Sequence, residues 1–261
     1  MPAWPRLLLT ICLPAAVAVA GAQPGPWAGG GGALGLTRVI AELVPAKVAA
    51  PELESWRLAA QRGVPGAQTM LASMYYLGAG MPADPEAARA WYRKAAEQGD
   101  TKAQTIMGLM SEEAGDAREA ARWFRLAAEQ GEAGAQSRLG QQCYLGGELA
   151  EARLWLGKAA AQGDASSQAR LGAMCYLGQG APRDNAEALK WLRLASAQGD
   201  PGAQGSLGLM YALGDGVPRD AVEACAWLLK AGAGGNEQAG RTAQLVMGGL
   251  TAAQIEQAKA R

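Results

Sequence analysis

Apolar residues recur along this chain with a helical period that is broken at regular intervals by glycine and aspartate. Between residues 67 and 77, Ala67, Leu71, Met74 and Tyr75 fall at i, i+4, i+7 and i+8, one face of a helix. Gly78-Ala79-Gly80 ends that run, because glycine accepts the left-handed conformation at a helix C-terminus. Asp84 then supplies an N-cap and Pro85 a first helical residue. Ala88, Trp91, Tyr92 and Ala95 form the apolar face of a second helix, while Glu86, Arg89, Arg93 and Glu97 point the other way. Gly99 stops this helix and Asp100 caps the next. The same punctuation returns at Gly163-Asp164 and Gly199-Asp200-Pro201, so the chain is predicted to be an array of helix-turn-helix units.

Tryptophan sets the period. Trp91, Trp123, Trp155, Trp191 and Trp227 are spaced by 32, 32, 36 and 36 residues, and each stands eight residues before a glycine. Trp56 stands seven before Gly63, which predicts an incomplete leading unit. These rings lie on the apolar sides of their helices and are expected to be core. At the front, Leu34 to Ala49 is predicted to form the first helix of the leading unit, with Glu52 to Arg62 as its partner. At the back, Glu237 to Leu250 reads as the first helix of a further unit. Thr251-Ala252-Ala253-Gln254 is a capping box that starts a short polar helix.

These units resemble Sel-1-like repeats, a branch of the tetratricopeptide-like solenoids. The match is fullest at residues 167–199, with Leu171-Gly172, Gly178-x-Gly180, Asp184, Ala188, Trp191, Ala195 and Gly199. Residues 203–235 carry Leu207-Gly208, Tyr211, Gly214-Asp215-Gly216-Val217, Asp220, Ala224 and Trp227. The two middle units lose four residues from the interhelix loop and so depart from the family pattern. The resemblance implies an all-α fold, a right-handed α-α superhelix (solenoid) of stacked helix-turn-helix repeats. It also implies a non-enzymatic interaction scaffold or adaptor. The expected organisation is a signal peptide at 1–22 and a Pro/Gly linker at 23–32, followed by an incomplete repeat at 33–66. Five repeats follow, at 67–102, 103–134, 135–166, 167–202 and 203–235, and then capping helices at 236–261.

Stacked hairpins of this kind make a concave surface lined by the first helix of each unit. Thr69, Ser73 and Tyr76, spaced i, i+4 and i+7, are predicted to face it in the first full unit. The equivalent positions are Thr105, Leu109 and Glu112, then Ser137, Gln141 and Tyr144, then Ala169, Ala173 and Tyr176, with Lys102 and Leu209 extending the stripe. Small, neutral and tyrosine-edged, such a surface suits an extended peptide or loop. A protein or peptide partner is therefore expected, bound by a monomer. A glycan on the same face is the alternative from another class. Hydrolysis of a β-lactam or peptidoglycan-like substrate is a more distant third.

Composition trims this picture. The chain has no histidine, which removes Ser-His-Asp triads, Cys-His pairs and H-E-x-x-H zinc sites. Neither S-x-x-K, G-x-S-x-G nor a phosphate loop occurs, so neither a catalytic residue, a cofactor nor a metal is expected. Gly30-x-Gly32-x-x-Gly35 fits a nucleotide fingerprint, but a Pro-rich segment precedes it instead of a strand. Glu112, Glu113 and Asp116 are the tightest acidic group and lie where a helix meets a shortened loop, as a solvated turn would. The 24 basic residues are balanced by 24 acidic ones, which argues against nucleic acid as a partner.

Residues 1–22 carry one charge, Arg6, then an apolar run from Leu7 to Val19 and small-x-small sites ending at Ala20 and Ala22. This pattern predicts a cleaved signal peptide and a periplasmic or secreted protein, without a membrane span. Ile11 before Cys12 is too bulky for a lipid-anchor site. Removing this segment leaves Cys143, Cys175 and Cys225, an odd number, so at least one thiol is unpaired within a monomer. Cys143 and Cys175 occupy equivalent positions in neighbouring units, where helices lie ~8–10 Å apart, too far for a disulfide. Both are expected to be buried thiols, with Cys225 left open to intermolecular pairing.

Overall fold

The computed structural model describes residues 32–44 and 49–261. The expected signal peptide and, but for Gly32, the linker lie outside them. The described residues form fourteen helices and no strand. Ahead of the repeats come α1 (Gly32–Ala41) and α2 (Ala50–Gln61). Five hairpins follow: α3 (Pro65–Leu77) with α4 (Pro85–Glu97), α5 (Thr101–Glu113) with α6 (Ala117–Glu129), α7 (Ala133–Leu145) with α8 (Leu149–Ala161), α9 (Ala165–Leu177) with α10 (Asn185–Ala197), and α11 (Pro201–Leu213) with α12 (Ala221–Ala233). The chain ends in α13 (Glu237–Met247) and α14 (Ala252–Lys259). Two compact parts result, one ending at Gln142 and the other beginning at Cys143, inside α7.

Aspartate and glycine set these boundaries as the pattern requires. Asp84, Asp100, Asp116, Asp164, Asp184, Asp200 and Asp220 each accept a backbone N–H from the first turn of the helix they precede. Glu132 does the same for α7, by way of Ala135 N. Thr251 and Gln254 form the reciprocal cap of α14. Where the interhelix loop is long, its two glycines both take positive φ, as at Gly178 (68°) and Gly180 (76°).

In each hairpin the residue after the tryptophan is among the most enclosed side chains. Tyr92, Phe124, Leu156, Leu192 and Leu228 are enclosed, none more than 1% exposed. Facing three of them is a glycine of the first helix. A Cβ at Gly108 would lie 2.5 Å from Phe124, one at Gly172 2.7 Å from Leu192, and one at Gly208 2.6 Å from Leu228. These glycines are there for close helix approach and not for a turn. In the first hairpin Tyr92 is accommodated instead by a hydrogen bond of 2.8 Å between its hydroxyl and Ser73.

The tryptophans sit at the margin of this core. Trp123 and Trp155 are buried, Trp91, Trp191 and Trp227 half-buried, and Trp56 is exposed. Indole N–H groups donate to a glutamate one turn back, Trp155 to Glu151 at 3.1 Å and Trp227 to Glu223 at 3.0 Å. A basic side chain covers the ring, Lys158 at 4.0 Å for Trp155. A ring that must keep its N–H wet or paired goes to the edge, and an aliphatic or phenyl group takes the centre.

Glutamine joins one hairpin to the next. Gln68 donates to the Ala60 carbonyl at 3.2 Å, Gln104 to Ala96 at 3.1 Å, Gln136 to Ala128 at 3.0 Å and Gln168 to Ala160 at 3.0 Å. Each first helix thus adds a second donor to a last-turn carbonyl of the preceding second helix, which also accepts the N–H of the glycine three residues on. A glutamine at the end of the hairpin's own second helix completes the bond. Gln98 donates to Gln68, Gln130 to Gln104 and Gln198 to Gln168, at 2.7–2.9 Å.

Candidate interaction surface

Several residues of the predicted stripe have structural work. Ser73 is fully enclosed, bonded to Tyr92 and to the Thr69 carbonyl. Thr69 is buried and donates to the Asp100 carboxylate at 3.0 Å. Thr105 is buried and donates to the Thr101 carbonyl at 3.0 Å. Leu109, Ala169, Ala173 and Leu209 are also buried. Lys102 is exposed, while Tyr76, Glu112, Ser137, Gln141, Tyr144 and Tyr176 are half-buried.

The tyrosine edge behaves differently at its two ends. The Tyr144 hydroxyl donates to Gln179 at 3.3 Å and Tyr176 to Asp215 at 2.6 Å. Both acceptors belong to the long interhelix loop of the next unit. Tyr76 is followed by a unit with the short loop Ala114-Gly115-Asp116, whose carboxylate caps α6 by accepting from Glu119 N. At the equivalent place in that unit Glu112 pairs with Arg138 at 3.0 Å. Two of the three tyrosines therefore clasp neighbouring hairpins.

The local electrostatics follow from this packing. Burial, then the Asp215 carboxylate, push the Tyr176 phenol above its ordinary range. Burial lowers Arg170, partly offset by Tyr144, whose ring it covers at 5.1 Å, and by Asp200. Cys143, Cys175 and Cys225 are buried and none is in a disulfide, and burial pushes the Cys175 thiol up to about 11. In the acidic group Asp116 caps α6 and Glu112 holds Arg138; burial, then Glu112, raise Glu113. Among the described residues Cys143, Glu148 and Glu151 have ligand-type atoms within 4.8 Å of one another. Glu151 already accepts from Trp155, and one thiol with two carboxylates falls short of a four-ligand set.

The helix expected to open the leading unit lies elsewhere. Instead of forming a hairpin with α2, α1 packs on α3 and α5, the first helices of two successive hairpins. Among its described side chains Leu36 (3% exposed) and Ile40 (0%) are buried. Beyond its end an open cleft of about 470 Å³ is lined by Glu42, Leu43, Gly66, Thr69, Met70, Asp100, Thr101 and Lys102. Two residues of the predicted stripe, Thr69 and Lys102, are thus brought together at one site.

Sequence reasoning passed over the glutamines, although their signal was present. Gln68, Gln104, Gln136, Gln168 and Gln204 stand at one repeat position, each directly after a small residue. A polar side chain recurring on an apolar face marks a buried hydrogen bond.

A family model described as Sel1 repeat matches residues 65–100, 102–132, 133–164, 165–200 and 201–236. The chain belongs to the Sel1-repeat family. Solved Sel1-type structures agree with its fold. One is a protective antigen of uropathogenic Escherichia coli displaying an SLR fold, 31% identical, TM-score 0.71, covering 87% of this chain and 51% of that one. The present chain thus spans about half the length of that protein. Another is a Sel1 repeat protein from Oxalobacter formigenes, 31% identical, TM-score 0.60, covering 71% of this chain and 85% of that one. No curated protein matches. Sel1 repeats generally serve as protein-interaction scaffolds, and no helix among the described residues is long and apolar enough to cross a membrane.

Proposed function

We propose that this Sel1-repeat protein is an exported, non-enzymatic scaffold that holds a peptide or partner segment on the face made by its first helices. The observation that carries the reading is the seat of α1. Two successive first helices already accept an amphipathic helical segment that is not part of any repeat. Half-buried polar side chains continue the stripe in the next unit at Ser137 and Gln141, and Lys102 adds one exposed cation. Export rests on the charge, apolar run and small-residue sites of residues 1–22.

The test uses variants that block the face without touching the core. Ser137→Arg with Gln141→Arg places bulk and charge at half-buried positions, so melting should hold while capture of a partner from envelope extract is lost. Undiminished capture by this variant rejects the face. The three tyrosines are poor reporters, because Tyr144 and Tyr176 hold hairpins together. Intact-mass measurement of the envelope fraction should find a chain that begins after Ala20 or Ala22. A full-length chain confined to the cytosol rejects export.

A further inference from the structure

We propose that residues 32–43 are a built-in occupant of the first-helix face. The partner that fits there is then an amphipathic helix with aliphatic side chains one turn apart, which must displace α1 to bind. The proposal rests on the reading of that face as the binding face, and adds the chemistry of the ligand and a competition for its place.

Four observations support it. First, among the described residues α1 lies chiefly against α3 and α5 rather than against α2, the helix next to it in sequence. Nothing in the hairpin architecture requires that placement. Second, α1 is two-sided: Leu36 and Ile40, at i and i+4, are buried, whereas Arg38 and Glu42 are mostly exposed and pair with each other at 3.7 Å. This is the pattern of a helix laid in a groove. Third, α1 has only ten residues, too few to be a stable helix in isolation, so its order depends on what it touches. Fourth, cover is incomplete. The cleft beside Glu42 and Leu43 leaves Gly66, Met70 and the exposed Lys102 within reach of an arriving segment.

Covalent attachment gives α1 an effective concentration of roughly millimolar for its own seat. A partner therefore binds more weakly to the intact chain than to one whose α1 has been released, by the fraction of time the seat is vacant. Cleavage after Ala20 or Ala22 would leave residues 32–43 in place, so the competitor would travel with the mature protein.

The experiment compares the full chain with Leu36→Asp/Ile40→Asp, which makes the buried side of α1 incompatible with its seat. The probe is a synthetic peptide of residues 32–43, titrated to millimolar concentration and followed by amide NMR shifts in α3 and α5. The variant should saturate at a peptide concentration at least tenfold lower than the wild type, and a peptide with the same two aspartates should shift nothing. Equal response of the two chains, or none from either, overturns the proposal. So does elution of the variant as a dimer, which would make a second copy the occupant. Leu36→Ala/Ile40→Ala is the gentler variant, to be used if the first melts early, with an intermediate shift expected. If Ser137→Arg/Gln141→Arg abolishes partner capture while the peptide fails to bind the released chain, the face survives and its resident occupant does not.

Discussion

The short-loop unit at residues 103–131 and the long-loop units at 167–199 and 203–235 solve the same joining problem with different means. In the first, Glu112 and Arg138 make a half-exposed ion pair, and the glycine of the loop, Gly115, has nothing within 4 Å of where a Cβ would be. In the long-loop units the turn reaches back to the preceding hairpin. A Cβ at Gly180 would lie 2.6 Å from the Leu149 carbonyl oxygen, and one at Gly216 2.9 Å from the Asn185 Cβ. Gln179 and Asp215 then take the hydroxyls of Tyr144 and Tyr176. Four extra residues thus turn a loop that merely reverses the chain into a contact surface between repeats.

Substituting the loop glycines should expose this difference most strongly. Both Gly180 and Gly115 have positive φ, 76° and 79°, so each substitution carries left-handed strain. Gly115→Ala should cost about 1–2 kcal/mol, the strain alone. Gly180→Ala adds collision with a backbone oxygen that cannot turn aside, and should cost about 3 kcal/mol or more. Equal losses by denaturant melting would show that the long loop is no joint.

The tyrosines grade the same comparison more finely. Tyr176→Phe gives up a bond to a carboxylate and should cost about 1–2 kcal/mol. Tyr144→Phe loses a longer bond to a neutral amide, about 0.5–1 kcal/mol, and Tyr76→Phe should stay within about 0.5 kcal/mol. A reversed ranking in urea titrations would place the clasp elsewhere. At the short-loop joint, Glu112→Gln should cost about 0–1 kcal/mol at low salt and less in 1 M salt, where an exposed pair is screened.

Alkaline pH gives the smallest effect. The Tyr176 phenol is raised in the folded protein above its ordinary value of 10.0, so the folded chain holds that proton longer than the unfolded one. Its contribution is fully present below about pH 10 and is lost as pH rises beyond it. Melting temperature should fall above pH 10, and less steeply in Tyr176→Phe. Identical slopes would assign the fall to other groups.

Element types and boundaries were legible because glycine, aspartate and the apolar period all act locally. Asp84 and Gly99 say where a helix begins and stops whatever lies around them. Depth within the core was less legible. Tryptophan is the conspicuous residue, yet its N–H needs Glu119, Glu151, Glu187 or Glu223, and that need moves it outward. The seat of α1 was not legible, since an apolar i, i+4 pair fits any groove and its distant contacts with α3 and α5 leave no local mark. The binding stripe was legible as a register but not as a surface. Whether Ser73 or Ser137 is enclosed depends on neighbours that periodicity does not name.

The glutamine bonds have a consequence for how such a protein changes over generations. Each joint uses the same donor, an amide at one fixed place, and the same acceptor, the backbone carbonyl eight residues earlier. Backbone is indifferent to side-chain identity, so any unit ending in a helix can receive any unit that begins with this glutamine. A duplicated or deleted hairpin would inherit a ready-made coupling at both ends. This one bond is thereby independent of the side chains of any one repeat, unlike the tyrosine clasps and the Glu112–Arg138 pair, and an ancestor could lengthen or shorten without inventing it anew.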